Sequence, residues 1–390
     1  MALTTEHVES FLGRGFTRRQ VGRIASLLAG GAAFPFYNEY AMAQQAEQQM
    51  QRGGGMRRAM GSDVIRISSN ENPMGPCKEG VEAIAKVAPM GWRYSPNNEQ
   101  GEFVKTASEV LGIKESYILA TAGSSDPLHR TTCAFTSPTR SWVMGDPGYG
   151  GGAPAFIGSK TIKVPLRADY SHDVEGMIKA DPNAGVYYVC NPNNPTGTLT
   201  SMKDIQYLLD HKQKDAVVVV DEAYIHFSED AVSAIPMVAA DKDVVVLRTF
   251  SKIYGMAGLR AGLSIARADL QNKMRMFGGG GGFLPVTGLA CATASMKVKN
   301  LVAERRGLNK QIRDSVFSFL DKKGIQFVPS HANFFMMEVK RPGAEFAKAM
   351  ADEKIIIGRI WPAWPTKVRV TVGTQEEMNK FIGAVAKIMA

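Results

Sequence analysis

The most informative part of the sequence is the stretch Val217-Val218-Val219-Val220-Asp221-Glu222-Ala223-Tyr224. Four consecutive β-branched residues predict a strand that is buried on both faces, which is typical of parallel sheets covered by helices. The apolar run ends directly in two carboxylates, so charge is placed at the carboxyl end of this strand. Ligands of open parallel sheets bind at that edge. The stretch therefore predicts an α/β fold and also the position of its functional site.

Two further apolar runs have the same character and are also followed by polar side chains. Residues 185–190 (GVYYVC) precede residues 191–197 (NPNNPTG), and residues 244–247 (VVVL) precede residues 248–252 (RTFSK). Between the run at 185–190 and the strand at 217–220, residues 201–212 have the apolar spacing of a helix. Alternating buried strands and helices predict a parallel-rich sheet that is covered on both faces.

Residues 121–127 (TAGSSDP) predict the start of a helix that could hold a phosphate group. A helix N-terminus presents unpaired backbone N–H groups and the positive end of the helix dipole, and Pro127 suits the first turn. Each feature is weak alone, because a carboxylate after a strand is often a helix cap and a loop lysine is usually solvated. Their combination with the motifs above matches the needs of pyridoxal phosphate, which requires a lysine, a carboxylate, an amide and a phosphate cup.

These motifs resemble those of the fold-type I pyridoxal-phosphate-dependent aminotransferases, class I/II, in the histidinol-phosphate aminotransferase-like branch. The resemblance covers about residues 64–390, and further branch-like strings are NENP (70–73), RYSP (93–96), SHANF (330–334) and RVTVGT (369–374). It implies a mostly parallel sheet in a large cofactor domain plus a smaller α+β domain. The implied boundaries are 101–294 for the large domain, and 62–100 with 295–390 for the small domain.

The resemblance also implies roles for particular residues. Lys252 is implied to form the Schiff base with pyridoxal 5'-phosphate and to move the substrate proton. Asp221 is implied to pair with the pyridine nitrogen, Tyr224 and Asn194 to bond the ring hydroxyl, and Tyr149 to stack on the ring. The residues implied to hold the cofactor phosphate are Ser124, Ser125, Thr249, Ser251, Arg260 and, from a neighbouring subunit, Tyr94.

The implied reaction moves an amino group between an amino acid, or a histidinol-phosphate-like amine, and a 2-oxo acid. Arg369 is implied to clamp the substrate carboxylate through a planar two-pronged contact. Asn72 and Arg359 are the other candidate substrate-binding residues. Because Tyr94 would act in the neighbouring site, the resemblance implies a homodimer with shared active sites.

Two segments depart from the branch pattern. Residues 358–365 (GRIWPAWP) replace a Gly-rich loop, and here proline stiffens the chain while Trp361 and Trp364 add large apolar faces. The tryptophans either line a pocket for bulky apolar donors or pack the small domain, and Arg359 could meet a distal anion of the substrate. Five consecutive glycines, Gly278–Gly282, predict a mobile strip at the border of the site, with a tolerated surface loop as the alternative.

The N-terminal residues predict an export signal. Arg18 and Arg19 precede an apolar stretch, residues 24–36, that is too short to span a bilayer, and residues 41–43 (AMA) form a small-residue cleavage pattern. This arrangement is typical of a twin-arginine signal peptide, and an ordinary amphipathic helix is the alternative. We therefore expect a protein that is periplasmic or exported, with a cytoplasmic protein as the alternative, and that meets a membrane only during export. The expected segments are a signal peptide over 1–43 and a flexible linker over 44–61.

Composition limits the remaining functions. The chain has 390 residues, a net charge of +9, 45% hydrophobic and 21% charged residues, and its basic residues are interspersed with acidic ones, so we expect no nucleic-acid partner. Four cysteines occur singly and six histidines are dispersed, so we expect no metal site. Two other functions stay open on the sequence: a pyridoxal-phosphate lyase, decarboxylase or cyclase on the same scaffold, and a non-catalytic binding protein.

Overall fold

The computed structural model describes residues 4–29, 63–150, 153–278 and 284–389. Within these ranges the strands are β1 (Ile65–Ile67), β2 (Ile118–Thr121), β3 (Ser141–Asp146), β4 (Thr161–Pro165), β5 (Ala184–Cys190), β6 (Val217–Asp221), β7 (Val244–Thr249), β8 (Gly262–Ala266), β9 (Phe327–Val328), β10 (Phe334–Glu338), β11 (Ile355–Ile357) and β12 (Lys367–Thr371). The α-helices of the same ranges are α1 (Thr5–Gly13), α2 (Arg18–Ala29), α3 (Lys78–Val87), α4 (Glu99–Leu111), α5 (Ser125–Phe135), α6 (Val174–Ala180), α7 (Met202–His211), α8 (Ile235–Ala239), α9 (Ala268–Arg275), α10 (Val286–Met296), α11 (Leu301–Lys322), α12 (Gly343–Asp352) and α13 (Gln375–Ile388).

The main sheet has the strand order β2-β8-β7-β6-β5-β3-β4 among the described residues. Strands β4, β3, β5, β6 and β7 are parallel, whereas β8 runs antiparallel to both β7 and β2. Every residue of β5, β6 and β7 is buried, as their continuous β-branched and aromatic runs predict. The expected mostly parallel α/β sheet is therefore confirmed.

One edge of this sheet gathers the ends of five strands. Asp221, the last residue of β6, pairs with Cys190 at the end of β5 and with Leu247 in β7. The antiparallel β8 begins at the same edge, where Gly262 pairs with both Thr249 of β7 and Thr121 of β2. The loops that follow β2, β5, β6 and β7 and the loop that precedes β8 therefore meet above this edge.

Two hydrophobic cores lie on either side of the loops at this edge. The large core packs the main sheet against its helices, and its fully buried members include Trp142, Tyr188 and Phe103. The small core is built around the sheet β12-β10-β9 and the parallel pair β1-β11, with Phe335 and Phe381 among its buried members. β1 joins the small core, whereas α3 packs against α10 and the large core, so residues 62–100 contact both cores.

The N-terminal helices α1 and α2 form a third, smaller cluster with the large domain, through Phe11, Phe16, Val21 and Ile24. No helix in the described part of the chain has the length and apolar character to cross a bilayer. The predicted cleavage pattern at 41–43 and the predicted linker 44–61 lie outside the described residues, as do all the glycines of Gly278–Gly282 except Gly278.

Candidate active site

Asp221 lies at the end of β6 with 2% of its surface exposed, and two donors hold its carboxylate. The Tyr188 hydroxyl donates to Oδ2 at 2.9 Å, and the backbone N–H of Ala223 donates to Oδ1 at 3.1 Å. Burial and the neighbouring Asp221 charge raise the pKa of Tyr188 well above its usual value, so the phenol stays protonated and donates. Both hydrogen bonds favour the ionised carboxylate.

Lys252 follows β7 by three residues and is buried to 7% exposure. Its Nζ donates to the carbonyl oxygen of Ser69 at 3.1 Å and lies 5.6 Å from the centre of the Tyr224 ring. Ser69 follows β1, so the amine is held between the main sheet and a segment that belongs to the small core. The structure therefore brings Lys252 and Tyr224 together, as the sequence predicts.

A chain of hydrogen bonds connects the Tyr224 hydroxyl to Arg369. The hydroxyl accepts from Nδ2 of Asn70 at 3.0 Å and from Nδ2 of Asn194 at 3.4 Å. Arg369 then donates through Nη1 to Oδ1 of Asn194 at 2.8 Å and through Nη2 to the carbonyl of Ser68 at 2.7 Å. Arg369 lies on β12 and is 4% exposed, so its guanidinium is fixed in a plane at the junction of the two cores.

Arg260 closes a cup between β2 and β8. Its Nη2 donates to the carbonyl of Ala122 at 2.9 Å, and its Nη1 reaches Oγ of Ser251 at 3.4 Å. Gly123 has a φ of +78°, and a Cβ there would lie 2.4 Å from Nη2 of Arg260, so the close approach requires glycine. Thr249 donates to Ser251 at 2.9 Å. Burial lowers the pKa of Arg260, a cost that a bound anion offsets.

Ser124 and Ser125 stand at the N-terminus of α5, beside this cup. Ser124 is the N-cap residue, and its side chain makes no capping hydrogen bond in the described structure. Asp126 is held by Arg130, with Nε and Oδ1 2.6 Å apart, so its charge is partly neutralised next to the helix start. The helix N-terminus therefore offers hydroxyls and backbone N–H groups to an anion.

Arg359 and Arg369 lie on the same indole ring. Their guanidinium carbons are 5.0 Å and 5.5 Å from the ring of Trp361, which is 3% exposed and packs on Val328 and Met336. Burial, followed by the charge of Arg369, lowers the pKa of Arg359, and the phenol of Tyr149 opposes this shift. Trp361 is therefore packed in the protein, as one of the two interpretations of the sequence predicts. Its ring also contacts two cations, one of which is Arg369, the candidate residue for binding the substrate carboxylate.

Trp364 packs against the same side chains as Trp361, and its backbone N–H donates to the Trp361 carbonyl at 2.9 Å. Trp364 packs edge-on against Tyr170 at 5.4 Å, which agrees with the packing interpretation for this tryptophan. Tyr94 is 80% exposed and lines a surface pocket of about 480 Å³ with Trp92, Arg93 and two neighbouring residues. The role implied for Tyr94 in a neighbouring site stays a prediction.

The remaining predicted residues border the site. Asn72 donates to the carbonyl of Ile253, next to Lys252, at 3.0 Å, so its amide stabilises the lysine loop. Tyr149 is partly buried on the large core and lies near both Arg260 and Arg359, since its phenol raises the pKa of each against the larger effect of burial. Their roles in binding stay predictions.

Sequence reasoning did not assign a site role to Tyr188, Asn70 or Ser69. The sequence does not single out Tyr188, because the residues around it form the apolar pattern of a buried strand. Asn70 has a φ of +54°, and its amide oxygen accepts from Thr371 at 3.1 Å. Its string NENP was a signal that could have identified it.

The donor set fits pyridoxal phosphate. The buried amine of Lys252 can bond the aldehyde, and the doubly hydrogen-bonded Asp221 can hold a proton on the pyridine nitrogen. Tyr224 and Asn194 supply a phenol and an amide for the ring hydroxyl. The glycine-dependent cup of Gly123 and Arg260 is a concave cationic site for the phosphate.

Comparisons with known proteins agree with this geometry. Residues 62–385 match the family model described as aminotransferase class I and II. A histidinol-phosphate aminotransferase of Moorella thermoacetica is 31% identical over 341 residues, with 84% of this chain and 86% of the relative covered. One from Brevibacillus brevis is 31% identical over 339 residues, with 84% and 91% covered. The crystal structure of histidinol-phosphate aminotransferase from Sinorhizobium meliloti in complex with pyridoxal-5'-phosphate superimposes with a TM-score of 0.77 at 23% identity, covering 92% of this chain and 98% of that one.

The matched range contains the whole sheet edge at which Asp221, Lys252 and Arg260 meet. The chain covers 86% and 91% of the length of these two relatives. The chain belongs to the class I and II aminotransferases, and it is a pyridoxal-phosphate-dependent transaminase.

Proposed function

We propose that this transaminase takes an amino donor with two negative charges, carried by two carboxylates in a dicarboxylic amino acid or by one phosphate in a histidinol-phosphate-like amine, and passes its amino group to a 2-oxo acid. The pair of guanidinium groups on Trp361 carries this proposal. Burial and, after it, the charge of Arg369 lower the pKa of Arg359, and a ligand with two negative charges offsets both effects. The names of the relatives, histidinol-phosphate aminotransferases, support the same class of donor.

Each residue of the site has a separate task in this reaction. Pyridoxal phosphate supplies the electron sink for bond cleavage at the substrate Cα. Lys252 Nζ takes the proton from Cα and returns it, and Asp221 keeps the ring nitrogen protonated. In a dicarboxylic donor, Arg369 binds the α-carboxylate with both Nη groups and Arg359 binds the distal carboxylate. A histidinol-phosphate-like amine has no carboxylate, and its phosphate binds to both arginines. Burial of these groups at the junction of the two cores excludes water and strengthens each contact.

A donor panel with matched variants tests the proposal. Glutamate, aspartate and histidinol phosphate are compared with alanine and phenylalanine in wild type, in Arg359→Gln and in Arg275→Gln, an exposed charge-matched control. We expect Arg359→Gln to lower kcat/KM for the dianionic donors about 10–100-fold, and for the apolar donors less than about 3-fold, because one charge-assisted contact is lost. Equal losses for all donors, or apolar donors that are best in wild type, would contradict the proposal.

We propose that the enzyme is a homodimer in which Tyr94 reaches the site of the partner subunit. Its 80% exposure supports this arrangement, because an exposed phenol is accessible to a second subunit. In co-expressed Lys252→Ala and Tyr94→Ala chains, a mixed dimer has one site that holds both intact residues. Recovery of activity in mixed dimers, and not in either parent dimer, is the expected result. Monomers in sedimentation would contradict it.

We also propose that the arginine pair directs the folded protein through the twin-arginine route to the periplasm. Arg18 and Arg19 are exposed at the start of α2, which supports their recognition by another protein. Arg18→Lys combined with Arg19→Lys is expected to retain the protein in the cytoplasm, as measured by cell fractionation. Wild-type protein that stays in the cytoplasm with residues 1–43 intact would contradict export.

A further inference from the structure

The first described segment, residues 4–29, has a defined seat on the large domain; we call it the leader. Its helices α1 and α2 turn at Gly15, where the φ of +85° favours glycine and a Cβ would lie 3.0 Å from Cγ2 of Thr139. Phe11 lies edge-on to Phe277 of the large domain at 5.8 Å. The four apolar leader residues Phe11, Phe16, Val21 and Ile24 are each less than 7% exposed. Their partners on the large domain are Cys133, Ile157 and Phe277.

Arg14 provides a second and independent contact between the leader and the domain. Its Nη2 donates to the carbonyl oxygens of Cys133 at 2.9 Å, Ala134 at 3.1 Å and Thr136 at 2.8 Å. These carbonyls end α5, whose other end forms the phosphate cup. The negative end of the helix dipole stabilises a cation at a helix C-terminus. The three carbonyl acceptors offset the cost of burying the Arg14 guanidinium, and this burial lowers its pKa. Within the leader, the guanidinium carbon of Arg14 lies 5.5 Å from the centres of the Phe11 and Phe16 rings.

We infer that the face formed by Cys133, Ile157, Phe277 and the end of α5 is a binding site for the leader. Docking divides the leader into two parts, because Val21 and Ile24 are buried while Arg18 and Arg19 stay exposed. The apolar stretch of the proposed export signal begins at Ile24. A leader bound to its own domain therefore cannot offer the start of this stretch to another protein.

Docking and export thus compete for the same apolar side chains, a consequence that rests on the proposed export route. Val21 and Ile24 take part in docking and lie in or next to the apolar stretch of the export signal. Phe11, Arg14 and Phe16 serve docking alone, and Arg18 and Arg19 serve export alone. Because the two sets of residues differ, each can be changed without changing the other.

Thiol alkylation of the full-length holoenzyme tests the binding site directly. Cys133 lies beneath the leader, and burial raises its pKa to about 12, whereas Cys190 lies in β5 away from the leader. The measurement is the rate of N-ethylmaleimide labelling at Cys133 divided by the rate at Cys190, by peptide mass spectrometry. We expect Phe11→Ala combined with Arg14→Ala to raise this ratio at least about tenfold, because the leader detaches, and the exposed control Arg18→Ala to leave it unchanged.

An unchanged ratio in the double variant would overturn the inference. If both thiols react faster because the whole protein unfolds, the milder variant Arg14→Lys decides by the same ratio. Lysine keeps the charge, but its side chain is one bond shorter and does not extend as far as Nη2, which makes all three contacts. A higher ratio in Arg14→Lys supports docking, and a wild-type ratio overturns it.

Pulse-chase export separates this inference from the proposed location. The detached double variant is expected to leave the cytoplasm several-fold faster than wild type, and equal rates would overturn the competition. If neither protein is exported, the proposed location is wrong, and the labelling ratio alone decides whether the leader docks.

Discussion

The cofactor side and the substrate side of the site are built in different ways. On the cofactor side, Asp221 and Lys252 each lie at or just beyond the end of a strand in one sheet, and the donors to Asp221 come from that strand edge. On the substrate side, Arg369 of the small core bonds Asn194 of the large core and the carbonyl of Ser68, residues that are far apart in sequence.

This difference predicts that cofactor binding and substrate use can change separately. Asp221, Lys252 and Tyr224 are positioned mainly by the large sheet, and the segment after β1 adds hydrogen bonds to Lys252 and Tyr224. The substrate arginines depend on how the two cores fit together and on residues 358–365. Changes at the junction are therefore expected to alter substrate use without loss of the cofactor.

Lys252→Ala is expected to have the largest effect. Loss of the amine removes both the covalent link to the cofactor and the proton carrier, so turnover falls to background, on the order of 10⁴-fold or more. The cup around Arg260 still binds the cofactor through its phosphate. Absorbance spectra and single-turnover rates check this, and near-normal turnover would show that another amine acts.

Asp221→Ala is expected to lower kcat on the order of 10²–10⁴-fold, because the ring nitrogen loses the carboxylate that keeps it protonated. Cofactor content, measured by the absorbance of the purified protein, is expected to stay near that of wild type. Activity close to wild type would mean that another group protonates the ring.

Arg369→Lys tests the substrate side with the charge retained. The lysine cannot make the planar two-pronged contact, so kcat/KM for all α-carboxylate donors is expected to fall about 10–100-fold. Cofactor affinity, measured by titration of the apoenzyme, is expected to change less than about 2-fold. A parallel loss of cofactor affinity would break the distinction between the two sides.

Tyr188→Phe is a milder change on the cofactor side. It removes one hydrogen bond to Asp221, worth about 1 kcal/mol, so kcat is expected to fall about 5-fold at unchanged KM. A rise in KM with constant kcat would place Tyr188 in substrate binding instead.

Trp364→Ala is expected to have the smallest effect on catalysis. It removes the edge-on contact with Tyr170, worth about 1 kcal/mol, so the Tm falls by a few degrees and the kinetic constants stay the same. The matched Trp361→Ala removes the platform under both arginines and is expected to raise KM for dianionic donors. Identical kinetics for the two variants would contradict the different places of the two tryptophans.

The sheet and the cofactor side were predictable because their signals are local. The run Val217–Val220 predicts a strand that the structure has as Val217–Asp221, and the carboxylate that follows it needs no distant partner to be placed at the edge. The helix that begins with residues 121–127 was predictable for the same reason, since α5 starts at Ser125.

The junction was not predictable from the residues alone, because its contacts depend on tertiary packing. Nothing near Arg369 in the sequence indicates that it bonds Asn194, 175 residues away. Tyr188 was not predicted because it lies in an apolar run that indicates a buried strand, and this pattern does not indicate which group the phenol hydroxyl bonds. The leader was interpreted as an export address, and its packing through Phe11 and Arg14 depends on surfaces that form only in the folded protein.

Asn70 has a further consequence for the cooperativity of unfolding. It is fully buried, its amide donates to Tyr224 of the large core, and its amide oxygen and backbone N–H both bond Thr371 of β12. If either core melted alone, these buried groups would lose their partners at about 1–3 kcal/mol each. The two cores are therefore expected to melt in a single calorimetric transition. Directed evolution of donor range can then be confined to residues 358–365, because that segment can vary while Asn70 keeps the two cores joined.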